Sequence, residues 1–268
     1  MATGVGALVD IEPLRVFVFS FAYATPRILG MFTVLPFTSR QTLPGLLRAG
    51  LSISMALMVV PTVAPLAGDT SVGGVEMVAL ILKETLIGVI LGYVVAILFW
   101  GAEALGFFID NQRGATMSSS MNPFTGVSTS PLGMLFNQGL TAFFFAAGGF
   151  SMLMGGVYGT YALWPVASFW PVFHVEDTSF FLAQLDHLMY VAVVMAAPPI
   201  LAMFLSELGL AFVSRFAPQL QVFFLAMPIK SAVALLVLAV YVPFLMDYLW
   251  PEIVAASDLA TAMRRLFP

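Results

Sequence analysis

Six ionisable side chains stand inside long apolar stretches of the sequence: Lys83, Glu84, Glu103, Asp110, Glu207 and Lys230. A charge in such a place is costly and normally faces protein or water. Two kinds of chemistry suit it. Carboxylates and amines can relay protons or ions, as in an ion-coupled solute transporter, or they can join helices and subunits as ion pairs. The spacing favours joining. Glu103 and Asp110 are seven residues apart and share a helix face, while Asp110 and Arg113, three apart, can pair. Glu207 and Lys230 lie on successive segments and can meet across a hairpin. Lys83 and Glu84 are adjacent and are expected to point different ways. The acids and bases are scattered over different helices without a dense cluster, and several stand near segment ends, within reach of water.

Other chemistries find no support. The two histidines, His174 and His187, are thirteen residues apart, which is no ligand spacing, and a lone histidine near a membrane boundary is more often interfacial than catalytic. No HExxH, GxSxG or phosphate-cradling glycine loop occurs. There is no cysteine, so disulfides, thiolate metal sites and thiol catalysis are excluded. A net charge of −4 offers no basic face for nucleic acid. The expectation is a protein without enzymatic activity, cofactor or metal.

The elements that carry these charges are membrane helices. Of 268 residues, 60% are hydrophobic and 9% charged, against roughly 25% charged in a soluble domain. The N-terminus has no positive n-region or cleavage pattern, so the first helix is expected to be retained. A span needs about 20 apolar residues, and six segments qualify: about 12–36, 46–67, 76–109, 132–164, 181–214 and 219–249. This predicts one all-α integral membrane domain over 1–268. Three segments exceed one span, and tilt, breaks or extension beyond the bilayer must absorb the excess. Pro61, Pro65, Pro198, Pro199, Pro228 and Pro243 mark expected breaks. Gly88 with Gly92, and Gly155 with Gly159, form small-xxx-small pairs that let backbones approach. Arg40, Arg48, Arg113 and Arg215 fall on the first, third and fifth connections, which makes those cytoplasmic and puts both termini outside; Arg264 and Arg265 oppose this.

From Gly114 to Val175 no Asp, Glu, Lys or Arg occurs. Within that interval Thr116–Ser130 reads TMSSSMNPFTGVSTS, an irregular stretch with turn signals at Asn122-Pro123 and Gly126. Irregular backbone cannot face lipid, because its polar groups would be unsatisfied. A polar, uncharged segment between membrane helices therefore suits burial in protein or the wall of an aqueous path. Met117 and Met121 can seal such a path by adaptable packing.

The run from Lys83-Glu84 through Gly88, Gly92, Glu103 and Gly106, the loop around Asn122-Pro123 and Gly126, and above all LSELGLAFVSRFAPQLQVFFLAMPIKS at 205–231 resemble the T subunit of type III secretion export apparatuses, the SctT family, related to flagellar FliR. Arg215, Pro218, Gln219, Val222, Phe223, Pro228 and Lys230 look like its signature, and Arg27, Pro36, Arg48 and Pro61 fit its N-terminal pattern. Gln221 departs from the asparagine expected there, an exchange of one amide for another. The resemblance implies a multi-pass subunit of the bacterial inner membrane. It would join R, S, U and V type subunits around a channel for unfolded secreted proteins, with an R-like part at about 1–165 and an S-like helix pair at about 180–250. It also implies a pore plug at 111–131, comprising Asn111, Thr116, Met117, Met121, Asn122, Pro123, Phe124 and Gly126. Glu103, Asp110 and Arg113 would hold the root of the plug, and Lys83, Glu84, Glu207, Arg215, Pro218, Gln219 and Lys230 would serve as structural polar groups. FFLAMPIKS and FIDNQRG favour an injectisome over a flagellar FliR-type role.

Overall fold

A computed structural model describes residues 12–38, 42–69, 73–115, 130–168, 178–216 and 222–259. Among them there are helices and no strand: α1 (Glu12–Val34), a 3-10 turn (Pro36–Thr38), α2 (Gly45–Ala56), α3 (Val60–Gly68), α4 (Gly74–Gln112), α5 (Pro131–Ala146), α6 (Gly149–Leu163), α7 (Thr178–Phe216) and α8 (Val222–Ser257). Four are long and apolar enough to cross a membrane, or six spans if each of two broken pairs counts as one. The all-α membrane class is therefore as the composition required. The described residues fall into two compact units, one within 1–96, 151–177 and 256–268, the other within 97–150 and 178–255.

In the first unit, glycine sets how closely α1 and α4 approach. A methyl at Gly92 would lie 2.7 Å from the Met31 carbonyl oxygen, one at Gly30 would meet the Thr85 carbonyl, and one at Gly88 would strike the Arg27 carbonyl. The expected Gly88/Gly92 contact is thus present, whereas a methyl at Gly155 would meet no atom within 4 Å among the described residues. Ile28, Met31, Phe32 and Leu35 are fully buried. The segment expected as one span at 46–67 is two helices, α2 and α3, bent by 85°. The break lies at 57–59, ahead of Pro61, which occupies the first turn of α3, where its missing N–H costs nothing. At the break the Val59 N–H bonds to Ala56 O rather than Met55 O. The Tyr158 hydroxyl takes over, donating to Met55 O at 3.1 Å.

In the second unit, Gly106 lies against the backbone of Leu132 and Gly133, so the end of α4 and the start of α5 touch without side chains between them. Phe99 and Phe144 pack edge to face at 5.6 Å, and Phe143 with Trp250 at 6.0 Å. The segment expected at 132–164 is also two helices, interrupted after Ala146 where Gly148 takes φ +79°, a left-handed conformation that glycine alone adopts without cost.

Of the expected proline breaks, the one at Pro61 coincides with an interruption, and those at Pro65, Pro198, Pro199, Pro228 and Pro243 do not. α7 runs unbroken through Pro198 and Pro199, and α8 through Pro228 and Pro243 as well as Pro251. Proline removes one donor and crowds one turn, which a membrane helix tolerates when its freed carbonyls find other partners. α4 and α7 have 39 residues each, about 58 Å at ~1.5 Å per residue, nearly twice the ~30 Å hydrocarbon core. Neither helix is broken, so the excess is left to tilt or to extension beyond the apolar layer. α4 and α8 have equal hydropathy, but 61% of the apolar window of α4 is buried against 17% of that of α8, so the apolar surface of α8 is left for lipid or other proteins.

Candidate functional site

Two buried carboxylates organise the polar side chains, one in each unit. In the first unit α1 brings Arg27, α4 brings Lys83 and Glu84, and α6 with the turn after it brings Thr160, Tyr161 and residues 164–168. Arg27 and Glu84 are fully buried and Lys83 nearly so. The guanidinium grips the carboxylate with two donors, Nε to Oε2 at 2.7 Å and Nη2 to Oε1 at 3.1 Å. It also donates to Thr160 Oγ1 at 3.0 Å and to the Trp164 carbonyl at 2.9 Å. Its carbon lies 4.0 Å from the centre of the Tyr161 ring, adding cation–π attraction. The Tyr161 hydroxyl donates to Ala24 O at 2.7 Å. Lys83 Nζ lies 2.9 Å from Glu84 Oε1 and donates to the carbonyls of Val166 at 2.7 Å and Ser168 at 2.9 Å.

This geometry corrects two expectations. Lys83 and Glu84 do not point apart: the long lysine stem bends its ammonium back to the neighbouring carboxylate. Nor are the membrane charges without a dense cluster, because Arg27 completes one. Arg27 fitted only the family pattern in the sequence and was not counted among the buried ionisable groups. A lone arginine in the middle of α1 was the available signal. Thr160, Tyr161 and Trp164 carried none.

In the second unit the carboxylate is Asp110, fully buried near the end of α4. Arg113 Nε donates to its Oδ1 at 2.7 Å. Its Oδ2 accepts from the Ser130 hydroxyl at 2.7 Å and from the Leu132 N–H at 2.9 Å. Ser130 is also the N-cap of α5 and accepts from the Gly133 N–H at 3.0 Å, with Pro131 at the first helical position, the sequence logic of a helix start. Asp110 thus ties together the two chain ends that flank residues 116–129. Glu103, two turns earlier on the same face, accepts from Asn137 Nδ2 of α5 at 3.0 Å. Ser130 and Asn137 were not singled out from sequence.

Asn111 lies in the last turn of α4. Thr116, Met117, Met121, Asn122, Pro123, Phe124 and Gly126 lie outside the described residues, as do Pro218 and Gln219. Arg215 sits in the last turn of α7, where a cation suits the carbonyl end of a helix. Lys230 Nζ and Glu207 Oε2 meet at 2.7 Å between α8 and α7. His187 contacts Glu252 Oε2 at 2.9 Å, a pairing the sequence did not suggest.

Comparison with known proteins adds to this geometry. Residues 18–254 match the family described as bacterial export proteins, family 1. The chain is 44% identical over 230 residues to the Yop proteins translocation protein T of Yersinia pestis, covering 85% of this chain and 88% of the relative. It is 34% identical over 223 residues to the surface presentation of antigens protein SpaR of Salmonella typhimurium, covering 83% and 82%. With the flagellar biosynthetic protein FliR of Bacillus subtilis it shares 27% over 236 residues, covering 87% and 88%. With this match spanning nearly the whole chain and its long apolar helices, the protein is a multi-pass membrane member of the bacterial export protein family 1.

Proposed function

We propose that this chain is the T-type subunit of a type III secretion export apparatus in the bacterial inner membrane, and that it lines part of the path taken by unfolded secreted proteins. The main support is the near full-length likeness to proteins named for Yop translocation and antigen presentation at the surface. The division into an R-like part at about 1–165 and an S-like helix pair at about 180–250 belongs to the same reading, as do R, S, U and V type partners. So does the absence of enzymatic activity: energy for export comes from other components.

Within this reading residues 111–131 plug the resting pore. The Asp110 geometry supports it. One buried carboxylate accepts from Arg113 near the start of the segment and from Ser130 and Leu132 at its end, so the two ends of the segment are held together at its root. Its span from 116 to 129 holds no charge, which suits contact with varied polypeptides better than with water alone. A photocrosslinker placed at Met117 or Met121 should capture a secretion substrate stalled in transit. Capture by scaffold positions on α8 instead, with none at 117 or 121, would assign the chain a passive role. The protein should co-purify with several small membrane proteins; uptake of a solute by the chain alone in liposomes would favour a transporter instead. A flagellar role has the FliR likeness in its favour. Complementation of secretion but not of motility separates the two.

A further inference from the structure

Lys83 does more than neutralise Glu84. The cluster holds two cations and one carboxylate, so Arg27 already balances Glu84. The surplus positive charge sits at Lys83 Nζ, and what receives it is backbone. The turn after α6 aims the carbonyls of Val166 and Ser168 at the ammonium, 2.7 and 2.9 Å away, with Pro165 O at 3.5 Å. An ammonium group has three N–H donors and no acceptor. Val166 O, Ser168 O and Glu84 Oε1 satisfy all three. Without the ammonium the buried Val166 carbonyl would lose this donor, which a buried polar group does not tolerate cheaply, while Ser168 O, on an exposed residue, would keep only the Trp164 indole N–H. The seat is also lodged against an aromatic face, since the Trp164 ring centre is 5.5 Å from Nζ and the Trp164 indole N–H donates to Ser168 O at 2.9 Å.

We infer that residues 164–168 form a cation seat for which Lys83 supplies a tethered occupant. The ammonium, rather than the packing of the side chain, positions this turn and so the direction in which the chain leaves α6. When the tether is cut, the seat accepts a small primary ammonium ion. The ligand class follows from the geometry, because the occupant must donate several N–H bonds and carry one positive charge.

The absence of cysteine from the chain makes the test direct. Ala167 is exposed in the turn, and an Ala167→Cys change in the full-length protein takes a single spin label. In the native background the label should give an immobile spectrum. Lys83→Met keeps the volume and removes the charge, and should lose most of the immobile component. Lys83→Ala should lose it too, with ethylammonium chloride restoring it and tetramethylammonium chloride, which has no N–H, failing to. A Lys83→Met spectrum as immobile as the native one would overturn the inference, since packing would then suffice. Equal recovery with both salts would overturn it as well, by showing an effect of ionic strength alone. If Lys83→Ala does not accumulate, the methionine variant still decides. None of these readouts depends on secretion, so their outcome is separate from the proposed function.

Discussion

The Glu84 cluster and the Asp110 clamp use the same device, a fully buried carboxylate shared among several donors, but they draw those donors from different places. Glu84 is held by Arg27, 57 positions away in sequence, and by Lys83. Those cations in turn engage Thr160, Trp164, Val166 and Ser168. Asp110 receives one charged donor, three positions away, and two neutral ones from the start of α5. The first arrangement locks distant stretches of chain with full charges, so no member can leave cheaply. The second joins the two ends of one short segment, with two of its three donors neutral. One is built to stay shut. The other ties the two flanks of residues 116–129 to one point.

The largest effect should come from breaking the lock. Glu84→Gln leaves two buried cations without a counter-charge, at a cost of about 3–5 kcal/mol, read as lost accumulation or a large fall in thermal stability. The double change Arg27→Met with Glu84→Met should cost less than the sum of the singles; strict additivity would mean that the two do not act as a pair. Next, Gly88→Val drives a side chain into the Arg27 carbonyl and should cost about 1–3 kcal/mol. Gly155→Ala, in open space on α6, should be neutral or stabilising by up to ~1 kcal/mol. Similar losses at both glycines would contradict the close crossing of α1 and α4. In the clamp, Asp110→Asn should cost about 1–3 kcal/mol and loosen the flanks of 116–129, measured as faster amide exchange at Leu132 and Gly133 while the Glu84 cluster keeps its protection. The smallest effect belongs to Lys230→Met. Its partner Glu207 has a side chain 47% exposed, so about 0–1 kcal/mol is expected in denaturant unfolding.

Much of this was legible in the sequence, and the failures have common causes. Apolar composition required membrane helices, and spacing allowed the pairs Asp110–Arg113 and Glu207–Lys230, which lie at 2.7 Å each. Gly88 and Gly92 pointed to a close crossing, but the same spacing at Gly155 and Gly159 did not mark one at Gly155, so the motif alone does not decide. The Lys83–Glu84 contact was hidden because adjacent positions diverge on a helix, and only side-chain length brings them back. The cluster itself was hidden because most of its acceptors are backbone carbonyls at 164–168, which have no residue signature. Pro198, Pro199, Pro228 and Pro243 did not interrupt their helices because proline is a local signal, whereas continuity depends on what else can bond the freed carbonyls. Pro61 marked the bend at 57–59, because it stands in the first turn of the helix that starts there.

The central claim is that residues 116–129, rooted on Asp110, close a protein-conducting path. The direct test is the resting conductance of membranes containing the assembled apparatus, with the native chain and with 116–129 deleted. The account predicts a clear rise in conductance on deletion, with secretion partly retained. A deletion variant that assembles, secretes and conducts no more than the native protein would contradict it.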